Sequence, residues 1–148
     1  NQSVTKAKLL SSPKKHFYSF ETSDSLMING IEKEIYTIVS NIIFNAARYT
    51  RNNGVIDIKW FANEHGVHFQ VKDNGIGISE ENLPRVTERF FRVDSSKNDE
   101  QDNGKFNNTG LGLALVKHSA IRNNATLKIE SKINQGSIFT VSFPSLEN

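Results

Sequence analysis

Asp73-Asn74-Gly75-Ile76-Gly77-Ile78 follows directly on an alternating run, Val67-His68-Phe69-Gln70-Val71, and its reading decides the rest of the chain. The alternation predicts a half-buried strand that ends in an acid and opens into two glycines. Glycine there allows positive φ and the close approach of a flat ligand, because no Cβ stands in the way. An ionised carboxylate only accepts hydrogen bonds, so it suits a donor such as an exocyclic amine. Asp-Asn-Gly is also an ordinary turn former. The stretch alone favours the plain turn, and its surroundings change that reading.

Upstream, residues 31–49 carry the longest helical pattern. Ile31, Ile35, Ile38, Ile42 and Ala46 recur at helical spacing as one apolar face. At about 100° per residue, Glu34, Thr37, Asn41, Asn45 and Arg48 fall in a second wedge roughly 80° wide. Two asparagines and an arginine are odd for a solvent face, where Glu and Lys form better helix. The wedge reads either as a polar face in an asparagine-rich chain or as oxygen ligands and a cation beside a polyphosphate. Strands are expected over 16–21, 26–29, 55–62, 126–132 and 137–143, with Asn63-Glu64-His65-Gly66 as a hairpin connection.

Downstream, Ser79-Glu80-Glu81 predicts a helix start with serine as N-cap. Arg89-Phe90-Phe91-Arg92 lies in the segment that follows Pro84. Residues 95–108 are polar and nearly free of apolar side chains, the composition of a disordered segment or a functional lid. Thr109-Gly110-Leu111-Gly112-Leu113 then runs into an apolar helix expected to reach Asn123, and its free N–H groups favour phosphate. Residues 1–15 carry Lys6, Lys8, Lys14, Lys15 and Pro13, and read as a linker or the end of a preceding domain.

At 148 residues the chain is large enough for one domain, here 16–148, and no internal repeat divides it. A net charge of +2 argues for neither nucleic acid nor direct membrane contact. With no cysteine, disulfides, thiolate nucleophiles and cysteine metal sites are excluded. No apolar run is long enough to cross a bilayer.

In this order the pieces resemble the catalytic, ATP-binding domain of bacterial sensor histidine kinases, within the superfamily containing Hsp90, DNA gyrase B and the MutL ATPases. The residues that carry the resemblance are Asn41 to Thr50, Asp73 to Gly77, Glu88 to Asp94 and Asn108 to Leu113. It implies an α/β two-layer sandwich, with a mixed sheet of about five strands and helices on one face. It also implies ATP and Mg²⁺ as cofactors. Asp73 would accept from the adenine amine, with Gly75, Gly77 and Ile78 around the base. Asn45 would be the Mg²⁺ ligand, and Asn41, Arg48 and Tyr49 would lie along the phosphates. Arg89 and Arg92 would face the γ-phosphate. Residues 95–108 would be the ATP lid, closed by Thr109, Gly110, Leu111, Gly112 and Leu113. Asn108 stands where the family carries glycine, which puts the lid hinge in doubt.

The superfamily's ATPases place a glutamate four residues before the magnesium asparagine, as base for water. Asn41 occupies that position and cannot take a proton. The family's acceptor histidines are followed by an acid, whereas His16, His65, His68 and His118 precede Phe17, Gly66, Phe69 and Ser119. The resemblance therefore implies half of a kinase. Its expected partners are a histidine-bearing dimerisation domain of the same parent and a response regulator downstream. It implies a cytoplasmic domain whose parent is anchored in the inner membrane. The alternative is a nucleotide-responsive interaction module that binds ATP and transfers nothing.

Overall fold

A computed structural model describes residues 15–23, 26–28, 30–88 and 112–144. In chain order these form β1 (His16–Thr22), α1 (Glu32–Tyr49), β2 (Gly54–Asn63), β3 (Gly66–Asp73), a 3₁₀ turn (Leu83–Arg85), α2 (Gly112–Arg122), β4 (Thr126–Lys132) and β5 (Gly136–Phe143). The strands make one sheet in the order β1-β2-β3-β5-β4. β1 runs parallel to β2, and the other pairs are antiparallel. This is the mixed five-strand sheet with a helical layer that the resemblance implies.

Period-two alternation sends Ile56, Ile58, Phe69, Val71, Phe139, Val141 and Phe143 to the face the helices cover. α1 meets them with Ile38, Ile42, Ile43, Ala46 and Ala47, and α2 with Val116 and Ala120, all buried. Each fully buried Ile or Phe side chain contributes about 1.5–3 kcal/mol of apolar transfer. Asp73 and Ser137 are cross-strand partners at the end of the same alternation, so both side chains point to the helical side. The strand pattern thus delivers an acid to the edge of an apolar core.

Turn chemistry explains part of the asparagine content. Asn53, Asn124 and Asn134 have φ of 68°, 58° and 65°, the left-handed region that asparagine tolerates best after glycine. Two expected elements differ. Residues 26–28 form no strand, because β1 already holds the sheet edge and Ile28 packs on the core from outside it. Ser79 caps no helix with its side chain. Its carbonyl accepts from Asn82 N and Leu83 N, both at 3.0 Å, and the chain makes only the short turn around Pro84.

Candidate functional site

The loop 74–78 is pinned from two sides. On one side, Ile76 N donates to Tyr49 O at 3.1 Å, tying the loop to the last turn of α1. Asn74 Oδ1 accepts from Val55 N at 2.8 Å. On the other side, Ile76 O accepts from Asn134 N at 2.8 Å, and Ile78 N donates to Ser131 Oγ at 2.7 Å. Glycine is required for contact with the protein itself. A Cβ on Gly75 would lie 2.3 Å from Tyr49 O, and one on Gly77 2.0 Å from Lys132 O. Positive φ occurs at Gly77, at 75°, and not at Gly75. The loop is therefore clamped between α1 and the β4–β5 hairpin.

Asp73 lies at the root of this loop, 6% exposed. Its Oδ1 accepts from Gly75 N at 2.9 Å. Burial raises its pKa from 3.8 to about 6, and the backbone N–H bonds from Gly75 and Ser137 only partly oppose the rise. No cation pairs with it among the described residues. A cavity of about 1110 Å³ opens beside it, lined in part by Asp73, Ile78, Ser79, Leu83, Ser131 and Ser137. A buried carboxyl group with backbone N–H donors but no cation beside it is costly to ionise, and one facing a cavity is a candidate ligand site.

The second wedge of α1 is split by the structure. Glu34 turns away to Arg122 Nε at 3.0 Å and Asn123 Nδ2 at 2.9 Å, which makes it a tie between α1 and α2. Asn41 spends its amide on Thr37 O at 2.8 Å, and its Oδ1 lies 3.2 Å from where a Cβ on Gly112 would stand. The structure thus brings Asn41 and Gly112 together across α1 and α2. Asn45, Arg48 and Tyr49 follow along α1 and are half-buried, with Arg48 Cζ 5.6 Å from the Tyr49 ring centre. Leu113, also half-buried, packs against the core. Arg89, Arg92, the segment 95–108 with Asn108, Thr109, Gly110 and Leu111 lie outside the described residues.

The histidines fall where none serves the cavity. Nε2 of His16 contacts Thr50 O at 2.8 Å. His68 sits between Ser142 Oγ and Asn63 Oδ1, both at 2.8 Å, and burial, followed by the nearby His65, lowers its pKa. His65 is in the β2–β3 turn and His118 is exposed on α2. Sequence reading missed Ser131, Ser137 and Asn123. The alternation of β4 and β5 could have placed both serines on the face that carries Asp73.

A strand-end acid, a double-pinned glycine loop and an asparagine-bearing helix together define a nucleotide-binding ATPase fold. The chain belongs to the family described as "Histidine kinase-, DNA gyrase B-, and HSP90-like ATPase", whose model matches residues 30–147. Within it, the chain is the ATP-binding catalytic domain of the sensor histidine kinase class. It is 44% identical over 93% of its length to the phosphate regulon sensor protein PhoR of Pseudomonas aeruginosa, and 38% identical over 87% to PhoR of Haemophilus influenzae. It spans 30% and 29% of those two relatives. The mycobacterial sensor histidine kinase MprB has the same fold, with a TM-score of 0.80, 21% identity, and coverage of 97% of this chain and 91% of that one. No described helix is long and apolar enough to cross a membrane.

Proposed function

We propose that the chain binds Mg²⁺–ATP and donates the γ-phosphate to a histidine on a separate dimerisation domain of its parent. On this reading the parent is membrane-anchored and its cytoplasmic part signals to a response regulator, in keeping with relatives named as sensor proteins of the phosphate regulon. The observation that carries the reading is Asp73, a buried carboxyl group without a cationic partner among the described residues, on the wall of a cavity beside a fixed glycine loop. Asp73 accepts from the adenine amine, and Ile78 packs against the base. Asn41, Arg48 and Tyr49 line the phosphate path along α1, and Gly112 and Leu113 close it from α2, after Thr109, Gly110 and Leu111. Arg89 and Arg92 face the γ-phosphate.

Asn45 offers one neutral oxygen, which fits Mg²⁺, an ion that keeps several waters and takes one or two protein ligands besides phosphates. When bound, the ion neutralises charge on the phosphate oxygens. The chain's own residues orient the nucleotide and supply cationic charge, the main contributions to phosphoryl transfer. Among the described residues hydrolysis lacks its base, since Asn41 cannot take a proton and Glu34 is committed to Arg122 and Asn123. That favours a kinase over an ATPase.

The test mixes the chain with γ-labelled ATP, Mg²⁺ and a helical hairpin bearing the parent's histidine. Label should move to the hairpin, and Asn45→Ala should abolish the transfer while ADP binding falls less. Tight ATP binding with no transfer to that hairpin would establish the alternative, a nucleotide-responsive binding module.

A further inference from the structure

Ser131 lies half-buried on β4, in phase with Leu127 and Ile129, and its hydroxyl makes three contacts close to Asp73. It contacts Ile78 N at 2.7 Å, Gly136 O at 2.9 Å and Ser137 Oγ at 2.7 Å. A serine hydroxyl donates once and accepts twice. Gly136 O can only accept, so it takes the single Ser131 proton. Both remaining contacts must then donate to Ser131: the N–H of Ile78 and the O–H of Ser137. The direction of every hydrogen bond in the cluster follows from that count.

The consequence lies next to the site. Ser137 and Asp73 are cross-strand partners with side chains on the same face, and both line the cavity. With its proton turned to Ser131, Ser137 shows the cavity only lone pairs. Asp73 as a carboxylate does the same. We propose that Ser131 is a positioning residue that acts on base choice. It fixes the glycine loop at Ile78 and keeps the Ser137 hydroxyl pointing away, so that the floor of the pocket accepts and does not donate. Such a floor suits the amine of adenine and opposes the carbonyl of guanine. The inference rests on the reading of Asp73 as the base acceptor.

Titration calorimetry of the 148-residue chain with Mg²⁺–ATP and with Mg²⁺–GTP tests it. In Ser131→Ala the Ser137 proton is released and the floor gains a donor. ATP affinity should fall about tenfold while GTP affinity holds or rises, so the ATP-to-GTP preference narrows. Ser131→Thr keeps the oxygen and should keep the preference. In the Ser131→Ala/Ser137→Ala double variant no donor remains, and the preference should return toward that of the parent chain. A merely structural serine predicts equal losses for both nucleotides, and that result overturns the proposal, as does a preference that stays narrow in the double variant. Should Ser131→Ala not fold, Ser131→Cys, a weak donor and acceptor of similar size, takes its place with the same expected direction. Asp73→Ala separates the two readings. If it leaves the preference unchanged, the adenine reading falls and this one with it. If Asp73→Ala narrows the preference and Ser131→Ala does not, only the role of Ser131 is overturned.

Discussion

Asp73 makes opposite demands on the empty and the loaded protein. Its folded pKa of about 6 stands above the ordinary 3.8, so between those values the native state holds a proton that the unfolded chain releases. Stability from this group is fully present below about pH 4 and is lost as pH rises through about 6. The difference is worth about 3 kcal/mol. On the proposed role of Asp73 binding runs the other way, since an adenine amine would need the carboxylate, and ATP affinity should rise with pH across the same window. Asp73→Asn keeps an oxygen for Gly75 N and carries no charge. Without nucleotide it should melt higher than the parent at pH 7, with a flatter pH profile, and bind ATP weakly. Identical melting profiles for the two chains from pH 4 to 7 would remove the buried-acid account. The glycines divide in the same concrete way. Gly77→Ala drives a Cβ to 2.0 Å from Lys132 O at a φ of 75° and should destabilise by more than about 2 kcal/mol. Among the described residues Gly112→Ala meets only the movable Asn41 amide at 3.2 Å, in a helix, and should fold normally. Urea midpoints for the two variants decide the point, and equal midpoints contradict it.

Between elements, Asn123 holds the two helices together. It is 5% exposed at the end of α2, and its Oδ1 accepts from Ile31 N at 2.7 Å, at the N-cap of α1 where no side chain of α1 itself caps. Its amide donates to Glu34 Oε1 at 2.9 Å and Ser119 O at 2.7 Å. Asn123→Ala leaves a helix-start N–H and a carboxylate short of partners and should cost about 1–3 kcal/mol. Glu34→Ala removes a pair whose arginine side chain is half in solvent, and should cost about 1 kcal/mol or less with ATP turnover unchanged. Chemical denaturation and a hydrolysis assay check both, and slower hydrolysis in Glu34→Ala would make it a base. These contacts show what the sequence could not display. Strand and helix periods located β1, α1, β2, β3, α2, β4 and β5 to within a residue or two, because each carries a continuous apolar face. The period also set Glu34 on one wedge with Asn41, yet it could not say that Arg122 and Asn123, some ninety positions away, would draw the acid to the other helix. Residues 26–28 looked like a strand by composition, and strand pairing is a long-range property that composition does not hold. Ser131 and Ser137 were visible as alternating positions, but their value lies in a hydrogen count that needs the neighbours in place.

At the scale of the whole molecule, the proposed nucleotide site has neither a water-activating base nor a matching acceptor histidine among the described residues. Among the described residues the base is missing because Asn41 is an amide that cannot take a proton and Glu34 binds across the helices. General-base assistance is typically worth 10²–10⁴-fold, so the chain alone should hydrolyse ATP slowly. The acceptor is missing because His16 is hydrogen-bonded to Thr50 O at the end of α1, His68 is hydrogen-bonded within the sheet, His65 sits in a turn beside Glu64, and His118 stands exposed on α2. None of the four is held toward the cavity wall at Asp73. Incubated with γ-labelled ATP and Mg²⁺, the chain should remain unlabelled over the time in which it transfers label to the added histidine hairpin. It should also protect the glycine loop, 74–78, from hydrogen exchange when nucleotide is present, since that loop is already clamped and loses its remaining openings on binding. Replacing all four histidines with glutamine should leave ATP affinity unchanged and transfer to the hairpin intact. Acid-labile label on the chain alone, lost in that fourfold variant, would mean that one of these histidines is an acceptor after all.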